Sequence, residues 1–382
     1  MPNLNVGIDY RPALSRLTGV GRYVAGLTGA LARIDTENRY TLFSSSLRER
    51  AHVNALPPNF ELVDRRIPVS LLNALWHRTG QPSLDLLTGR SFSITHSPHP
   101  LILPSRRGRA VVTIHDIFFY RHAEATEAEI RRDYVPLVKA HAARADAVLT
   151  GSRTTKDDLV RELGVDERKI ALTPYGVDIE SFRIGPDNAA DEERIGARYK
   201  LPRRYLLSVA TLEPRKNLPR LVEAVAQLVR RGWDGTLLLA GGPGMDDRAV
   251  DRAIDSHRLG SRVVKLGYVP SEHLPVLYRR ARALASVALW EGFGFTVLEA
   301  MACEVPVVAS DIPTHHEVAA EAAVYVDPID PEAIASGIER VWDGDRERRR
   351  LIEAGSKRVT LFSWEETARK TLAVYERLGS EG

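Results

Sequence analysis

The sequence predicts two α/β domains, each built on a parallel β-sheet with helices on its faces. Short segments rich in Val, Ile, Leu or Tyr alternate with amphipathic helical segments along the whole chain, as expected for parallel sheets that are buried on both faces. With 382 residues, the chain exceeds the usual size of a single hydrophobic core. Hydrophobic residues make up 44% and charged residues 27%, as in ordinary globular proteins.

The predicted strands fall into two groups along the chain. Those of the first half are Leu4–Tyr10, Tyr40–Ser44, Ala110–Ile114, Ala147–Thr150 and Ile170–Thr173. Those of the second half are Tyr205–Val209, Thr236–Leu239, Val263–Leu266, Ala283–Val287, Pro306–Ala309 and Ala323–Val326. Among the helices, Leu218–Val229 has apolar residues at helical spacing. Ser363 and Glu366 form a capping box for a last helix that ends at Leu378.

A linker is predicted between the two groups of strands, over Arg183–Leu201. It combines the turn-forming residues Gly185-Pro-Asp-Asn188 with a charged run, and the next strand begins only at Tyr205. The predicted ranges are residues 1–185 for the first domain, 200–362 for the second domain and 363–382 for a C-terminal helix.

Composition excludes several classes of protein. The 53 basic and 50 acidic residues give a net charge of +3, whereas dedicated nucleic-acid binders show a larger basic excess. The single cysteine, Cys303, leaves no internal disulfide and no cysteine-based zinc site. Residues 1–11 alternate between apolar and polar, which predicts a first strand and not a signal peptide. No window approaches the roughly 20 apolar residues of a membrane span. We expect a cytoplasmic protein without a nucleic-acid partner.

Two basic pairs, Arg65–Arg66 and Arg106–Arg107, occur close to leucine-rich segments of the first half. Solvated loops beside core residues would give this pattern. A patch that contacts anionic lipid head groups at the inner membrane face would give it as well. The sequence leaves both interpretations open.

Ligands of open parallel sheets bind beyond the carboxyl ends of the strands, so the residues that follow each strand are candidates. Gly19 and Gly21 follow the first strand and open a helix, where backbone N–H groups bind anions; a plain tight turn explains them equally well. His115 follows the strand Ala110–Ile114, and Asp116 is available to orient its ring for acid–base chemistry. The alternative is a histidine that serves the core alone.

Arg215 and Lys216 follow the strand Tyr205–Val209, and Asn217 is the predicted N-cap of the helix that begins at Leu218. Cations at a helix N-terminus oppose the helix dipole. They would either extend into water or bind an anion, and a diphosphate would satisfy both the cations and the helix N-terminus. We favour the diphosphate.

The segment Leu289–Glu299 follows the strand Ala283–Val287 and opens another helix. Its glycine-bearing loop and the helix start predict an anion site. Glu291 has no evident structural role in this loop, and a carboxylate beside an anion is favourable only where it binds hydroxyl groups, as a sugar offers. Glu299 has two interpretations, a ligand contact or a capping box with Thr296. Together these features predict a sugar-phosphate site.

These motifs resemble those of retaining glycosyltransferases of family 4, which have the GT-B fold. The resemblance covers nearly the whole chain and rests on Gly19-Val-Gly21, His115-Asp116, Glu213-Pro-Arg-Lys216, Gly267-Tyr-Val-Pro270 and Glu291-Gly-Phe-Gly-Phe-Thr-Val-Leu-Glu299. It implies two Rossmann-like domains that face each other across a cleft, with a C-terminal helix that crosses back to the first. The first domain would bind the acceptor and the second the nucleotide sugar.

The resemblance also implies roles for individual residues. The catalytic residues would be His115 near the reacting carbon, Glu291 at the donor sugar, and Lys216 and Arg215 at the diphosphate. The other donor contacts would be Glu299 at the ribose, Gly19 and Gly21 at the distal phosphate, Tyr268 and Val269 at the base, Phe293, Gly294 and Phe295 at the sugar, and the N–H groups of Val297 and Leu298 at the diphosphate. Many members carry a further arginine where this chain has Ala210-Thr-Leu212, and Arg215 or Arg22 would replace it.

The implied activity is transfer of a sugar from a nucleotide to a saccharide or lipid-linked acceptor, with retention at the anomeric carbon and without a metal or other cofactor. The segments Thr211–Asn217 and His115–Phe119 resemble bacterial mannosyltransferases that build surface polysaccharides, which favours GDP-mannose. Three alternatives stay open. They are a UDP-linked glucose or N-acetylglucosamine donor, a non-catalytic subunit with this fold, and a dinucleotide-dependent oxidoreductase, which would need a complete glycine fingerprint.

Overall fold

The computed structural model describes residues 3–14, 19–51, 56–126, 128–183 and 189–381. The chain divides into two compact units. One comprises Met1–Gly176 with Phe362–Gly382, and the other comprises Val177–Leu361. The predicted turn Gly185–Asn188 of the linker lies outside the described residues.

The first unit is built on a parallel sheet. Within the described residues its strands are β1 (Asn5–Asp9), β2 (Arg39–Ser45), β3 (Phe60–Arg65), β4 (Ile94–Ser97), β5 (Arg109–Thr113), β6 (Ala147–Thr150) and β7 (Ile170–Leu172). They pair in the order β3-β2-β1-β4-β5-β6-β7, all in parallel. The strand order reverses between β1 and β4, and such a switch point leaves a crevice for ligands at the carboxyl ends.

Two strands of this sheet, β3 and β4, are not predicted by the sequence pattern. β3 lies at the edge of the sheet and mixes apolar with charged residues. β4 is fully buried although three of its four residues are polar. Its Thr95 hydroxyl donates to the carbonyl of Leu103, and both ring nitrogens of His96 are hydrogen-bonded to hydroxyl groups. These bonds compensate for the burial of the polar groups. The partners of His96, Thr113 and Tyr375, lie 17 and 279 residues further along the chain.

The helices of the first half cover this sheet. They are α1 (Gly19–Ile34), α2 (Val69–Thr79), α3 (Leu84–Thr88), α4 (Phe118–Arg121), α5 (Ala128–Arg144) and α6 (Arg153–Leu163). In α1 the buried side chains Tyr23, Val24, Leu27 and Leu31 recur at helical spacing, as expected for an amphipathic helix with one face on the core.

The second unit has the same alternation of strands and helices. Its elements in chain order are α7 (Ile179–Phe182), α8 (Ala189–Arg198), β8 (Tyr205–Val209), α9 (Leu218–Arg230), β9 (Thr236–Ala240), α10 (Asp247–Ser256), β10 (Val263–Gly267), α11 (Leu274–Arg279), β11 (Ala283–Ser286), α12 (Phe295–Ala302), β12 (Val307–Ser310), α13 (Pro313–Ala319), β13 (Ala323–Val326), α14 (Pro331–Trp342) and α15 (Asp345–Val359). The strands that the structure describes pair in parallel in the order β10-β9-β8-β11-β12-β13. This order reverses between β8 and β11, so the loops after these two strands flank the switch point.

The sequence-based predictions for this unit are confirmed closely. Each predicted strand agrees with the structure to within one residue at either end. The predicted helix Leu218–Val229 is α9, and its apolar side packs into a core that includes Trp233 and Trp342. Both units are Rossmann-like α/β layers, as the resemblance implies.

The chain leaves the first unit earlier than the composition of the linker indicates. The division falls between Gly176 and Val177, because α7 is anchored in the second unit. The ring of Phe182 lies 6.0 Å from that of Tyr278, and the carbonyl of Phe182 accepts a hydrogen bond from the Cys303 thiol. Residues 177–183, which the sequence analysis assigned to the first domain, therefore pack with the second.

The last helix, α16 (Trp364–Ser380), returns to the first unit and packs on α1. The Ser363 half of the predicted capping box is confirmed, since its hydroxyl accepts the backbone N–H of Glu366 at 3.1 Å. The Glu366 carboxylate instead pairs with Arg369 at 3.0 Å. Trp364 lies so close to two glycines that a Cβ at Gly26 or Gly176 would come within 2.2 or 2.1 Å of it. Among the residues that the structure describes, no helix has the length and apolar character needed to cross a bilayer.

Glycines hold two loops together at the carboxyl edge of the second sheet. A Cβ on Gly241 would lie 1.8 Å from the carbonyl oxygen of Ala210, and a Cβ on Gly244 would lie 2.4 Å from that of Leu212. A Cβ on Gly242, between them, would meet no atom within 4 Å. The loop after β9 therefore packs backbone against backbone on the loop after β8, which carries the predicted phosphate-binding residues.

Replacing Gly241 by Ala should lower the free energy of unfolding by about 1–3 kcal/mol, because the backbone atoms that meet the new methyl group cannot turn aside. Gly242→Ala is the matched control and should change stability by less than about 0.5 kcal/mol. Thermal unfolding of both variants measures the difference. Equal melting temperatures for the two variants would contradict the close contact.

Candidate active site

Two loops flank the switch point of the second unit, and each carries predicted site residues. The loop after β8 forms a 3-10 turn, Pro214–Lys216, directly before α9. The loop after β11 carries Glu291 and ends at Gly294, whose φ of 97° is a left-handed conformation that favours glycine. The N–H of Leu289 donates to the carbonyl of Arg215 at 2.8 Å and joins the two loops.

Arg215, Lys216 and Glu291 form a partly buried ion cluster between these loops. Lys216 Nζ lies 2.5 Å from Glu291 Oε1, and Arg215 Nη1 lies 3.4 Å from Glu291 Oε2. Arg215 Nε also donates to Glu213 at 2.8 Å. The side chains of Lys216 and Glu291 are only 13% and 11% exposed, so each charge needs a partner. The structure thus brings together three of the four predicted catalytic residues.

The carboxylate of this cluster is ionised at neutral pH. Burial raises the pKa of Glu291, but Lys216 and then Arg215 outweigh burial and bring the pKa to about 2. Burial and the charge of Arg215 lower the pKa of Lys216 below its usual value, and Glu291 opposes this shift. The negative charge of Glu291 is therefore stabilised by the two cations that the sequence analysis assigns to a diphosphate.

Asn217 directly precedes α9, but its side chain does not cap the helix as predicted. No side-chain hydrogen bond of Asn217 caps the helix. Its backbone is left-handed, with φ of 60°, a conformation that asparagine tolerates better than most residues. The side-chain amide donates to the carbonyls of Val287 at 3.0 Å and Pro328 at 2.7 Å. Asn217 therefore fixes the turn that carries Lys216 against the loops after β11 and β13.

Thr314 and His315, at the start of α13, lie beside the loop of Glu291, and no sequence motif identified them. The Thr314 hydroxyl donates to the carbonyl of Glu291 at 2.9 Å. His315 is fully buried, and its Nδ1 donates to the carbonyl of Ser310 at 3.1 Å. Burial lowers the pKa of His315. Both residues follow the strand β12, so the rule that led to the other candidates would have found them.

Glu299 is held inside α12 by a tyrosine. Its side chain is 3% exposed, and its Oε2 accepts a hydrogen bond from the hydroxyl of Tyr278 at 2.7 Å. The helix begins at Phe295 after Gly294, so Thr296 already lies within it. The capping-box interpretation of Thr296 and Glu299 is therefore wrong. Tyr278, in α11, has no motif that would have identified it from the sequence.

Other predicted donor contacts lie at the start of α12. The N–H groups of Val297 and Leu298 both donate to the carbonyl of Gly294, at 3.1 and 3.2 Å. A diphosphate would have to replace this carbonyl, so the structure does not offer these two groups as open donors. Phe293 is buried, and its ring packs edge-on against that of Phe295 with centroids 5.4 Å apart.

The predicted base-binding loop follows β10 at the same edge of the sheet. Gly267 ends the strand with φ of 69°, and its carbonyl accepts the N–H of Gly241 at 2.8 Å. Val269 is buried, whereas Tyr268 is half-buried. Because all strands of the sheet are parallel, this loop lies on the same side as the ion cluster, two strands away from β8.

In the first unit, His115 follows β5 with both ring nitrogens hydrogen-bonded. Nδ1 lies 2.7 Å from the hydroxyl of Tyr175, and Nε2 lies 2.9 Å from the carbonyl oxygen of Pro98. Asp116 does not orient the ring as predicted; its carboxylate accepts the N–H of Phe118 at 2.9 Å and stabilises the turn into α4. Tyr175 and Pro98 orient His115 instead.

The helix start at Gly19 and Gly21 is confirmed, and it lies close to His115. Tyr23, one residue beyond Arg22 in α1, packs edge-on against the His115 ring with centroids 5.0 Å apart. Its hydroxyl is 3.0 Å from that of Thr113 at the end of β5. The fold of the first unit thus brings together its two predicted motifs, Gly19-Val-Gly21 and His115-Asp116.

Comparison with known proteins matches both halves of the chain. The family described as Glycosyltransferase Family 4 matches residues 17–181, and the family described as Glycosyl transferases group 1 matches residues 191–358. The O-antigen chain mannosyltransferase B of Escherichia coli is 30% identical over 379 residues, which cover 95% of this chain and 97% of that protein.

Solved structures agree on the fold. Sucrose-phosphate synthase of Thermosynechococcus elongatus superposes with a TM-score of 0.79 at 23% identity, over 100% of both chains. Anabaena HepE, in a structure described as a complex with UDP-glucose, gives a TM-score of 0.73 at 16% identity over 98% of this chain and 100% of that one. Together with the motifs in both units, these matches show that the chain belongs to the family 4 glycosyltransferases of the GT-B fold and resembles bacterial mannosyltransferases.

Proposed function

We propose that this glycosyltransferase transfers mannose from GDP-mannose to a saccharide or lipid-linked acceptor, with retention at the anomeric carbon. The observation that carries the proposal is the partly buried cluster of Arg215, Lys216 and Glu291 at the switch point of the second unit. The cations attract a diphosphate, and the carboxylate accepts hydrogen bonds from sugar hydroxyls. The Escherichia coli relative is named as a mannosyltransferase of the O-antigen chain, which supports mannose as the sugar.

In the proposed reaction, the bond between the anomeric carbon and the diphosphate oxygen breaks. A new bond forms from that carbon to the acceptor oxygen on the same face of the sugar. The acceptor proton passes to the departing diphosphate, so no protein nucleophile is needed. Arg215 and Lys216 stabilise the charge that grows on the diphosphate, and because they are already in place they need no rearrangement. Glu291 binds the donor sugar, and Glu299 binds the ribose hydroxyls.

The main alternative is the same chemistry with a UDP-linked glucose or N-acetylglucosamine. The UDP-glucose complex of Anabaena HepE favours it, through similarity of fold alone. A non-catalytic subunit would keep the fold without turnover; the complete set of Lys216, Glu291 and Glu299 argues for a catalyst. No metal or other cofactor is proposed, because Arg215 and Lys216 already supply positive charge where the diphosphate would lie.

We also propose that the first unit contacts an anionic lipid surface at the inner membrane face. The outer side of α2 carries apolar residues, although the helix already buries Leu72 and Trp76 in the core. Val69, Leu71 and Leu75 remain 37%, 50% and 38% exposed. An amphipathic helix with apolar residues on its outer side is suited to the boundary between lipid head groups and acyl chains.

Two arginines of the basic pairs contact the neighbouring helix α3, where Leu86 is 57% exposed. Arg65 Nε donates to the carbonyl of Leu87 at 2.7 Å. The backbone N–H of Arg106 donates to the Asp85 carboxylate at 2.9 Å. Apolar side chains among arginines complement anionic head groups. Such a contact would bring the enzyme to a lipid-linked acceptor.

Nucleotide binding tests the donor assignment. GDP should raise the melting temperature more than UDP or ADP, since stabilisation increases with ligand concentration relative to Kd. Glu299→Ala should weaken GDP binding by about 1.5–3 kcal/mol, roughly 10- to 100-fold, because the ribose loses a charged acceptor. A 2′,3′-dideoxy nucleotide should bind both proteins equally weakly. Exposed Glu321, replaced by Ala, is the control. A larger shift with UDP would favour the alternative donor, and unchanged GDP affinity of Glu299→Ala would remove its ribose role.

Product analysis tests retention and independence of metal together. With excess EDTA, proton NMR of the product should show the anomeric configuration of the donor. Lys216→Ala should lower kcat more than it raises the donor KM, because the charge it stabilises grows in the transition state. Lys265→Ala, a surface lysine of the same unit, is the control. An inverted product would overturn retention. Activity that returns only with magnesium or manganese would show that Arg215 and Lys216 are insufficient.

Vesicle binding tests the lipid contact. The protein should co-sediment with vesicles that contain phosphatidylglycerol, and less so as salt is raised. Replacing both Leu71 and Leu75 by Ser should weaken binding roughly tenfold or more, because apolar surface is lost from the interface. Leu361→Ser, at a leucine of the second unit that is 63% exposed, should leave binding unchanged. Equal binding of the double variant and this control would rule out α2 as the contact.

A further inference from the structure

The hydrogen bonds of His115 define which of its nitrogens carries the proton. Nε2 lies 2.9 Å from the carbonyl oxygen of Pro98, and a carbonyl can only accept a hydrogen bond. Nε2 must therefore carry a hydrogen. In the neutral ring Nδ1 is then an acceptor, and the Tyr175 hydroxyl, 2.7 Å away, must be its donor.

Burial and close packing hold the donor at Nδ1 in place. Tyr175 is 1% exposed, and its ring covers Gly151 so closely that a Cβ there would lie 2.6 Å from it. The hydrogen bonds thus run in one direction, from the Tyr175 hydroxyl through His115 to the Pro98 carbonyl.

Packing and burial hold the His115 ring in the neutral form with its hydrogen on Nε2. The Tyr23 ring lies 5.0 Å from that of His115 and 4.8 Å from that of Tyr175. Burial lowers the pKa of His115 to about 4, although the bond to Pro98 and the charge of Asp116 oppose it. A general base needs a ring nitrogen within reach of the substrate proton. Both nitrogens of His115 are already occupied by groups of the first unit.

We propose that His115 acts as a fixed, neutral Nε2–H imidazole and not as a general acid or base, and that Tyr175 is the positioning residue that imposes this state. The catalytic meaning of this inference rests on the proposed glycosyl transfer, whereas the protonation state of the ring does not. His115 then contributes a rigid surface at the carboxyl end of β5, where its own carbonyl is also held, by the Thr155 hydroxyl at 3.2 Å. The proton of the acceptor must leave by another route, which agrees with its transfer to the departing diphosphate.

Nitrogen-15 NMR of the histidine rings tests the protonation state without any need for activity. The His115 signals, identified by their loss in His115→Gln, should show a hydrogen on Nε2 alone throughout pH 6–8. In Tyr175→Phe the Nδ1 signal should move to the position of an unbonded lone pair. Tyr23→Phe is the matched control, because its hydroxyl bonds Thr113 and not His115, and should leave Nδ1 unchanged. A hydrogen on Nδ1 in the wild type, or a ring that titrates in this range, would overturn the proposal.

Kinetics test whether His115 transfers a proton. Glutamine can donate an amide N–H to the Pro98 carbonyl but cannot take up a proton. The kcat of His115→Gln should therefore be at least roughly tenfold higher than the kcat of His115→Ala. Its kcat–pH profile should have the shape of the wild-type profile. Tyr175→Phe should lower kcat roughly fivefold, the value of one hydrogen bond, with little change in donor KM. Suppose instead that His115→Gln is as inactive as His115→Ala and that its kcat–pH profile lacks a limb that the wild-type profile has. His115 is then a general acid or base. If the wild type transfers no sugar, the proposed function fails, while the NMR result still decides the state of the ring.

Discussion

The ion pair between Lys216 and Glu291 joins the two loops on which the candidate site depends. Arg215 and Lys216 lie on the turn before α9, where the helix dipole is already positive and repels them. Burial makes unpaired charges costly there. Glu291 reaches in from the other side of the switch point and places its carboxylate 2.5 Å from Lys216 Nζ. The two loops can therefore keep both cations side by side, with Glu291 as their shared partner.

Neutral hydrogen bonds then fix the backbone that carries this pair. The Asn217 amide ties the turn of Lys216 to two carbonyls of neighbouring loops, and the Thr314 hydroxyl holds the carbonyl of Glu291. The charged side chains thus start from positions that the backbone maintains without a ligand. Such preorganisation is what lets fixed charges stabilise a developing negative charge efficiently. It explains why polar residues outside the motifs belong to the site.

The first unit depends on a buried chain of hydrogen bonds in a comparable way. The Tyr375 hydroxyl of α16 bonds His96 at 2.6 Å, His96 bonds Thr113 at 2.7 Å, and Thr113 bonds Tyr23 at 3.0 Å. Tyr23 in turn packs against His115. The C-terminal helix is therefore part of the polar core beneath the predicted catalytic histidine, although the whole second unit separates it from that histidine in sequence.

The sequence by itself determined most strands, the helix α9 and the place of the charged residues, because hydrophobic periodicity and strand ends are properties of neighbouring residues. Only the tertiary structure decided how those residues are held. β4 was missed because the partners that allow His96 to be buried come from β5 and α16. Asn217 was expected to cap α9, and a capping box with Thr296 was one of the two interpretations of Glu299. Their side chains instead bond Val287, Pro328 and Tyr278, which lie far along the chain. Local patterns carry no information on such partners, since folding alone brings them within hydrogen-bonding distance.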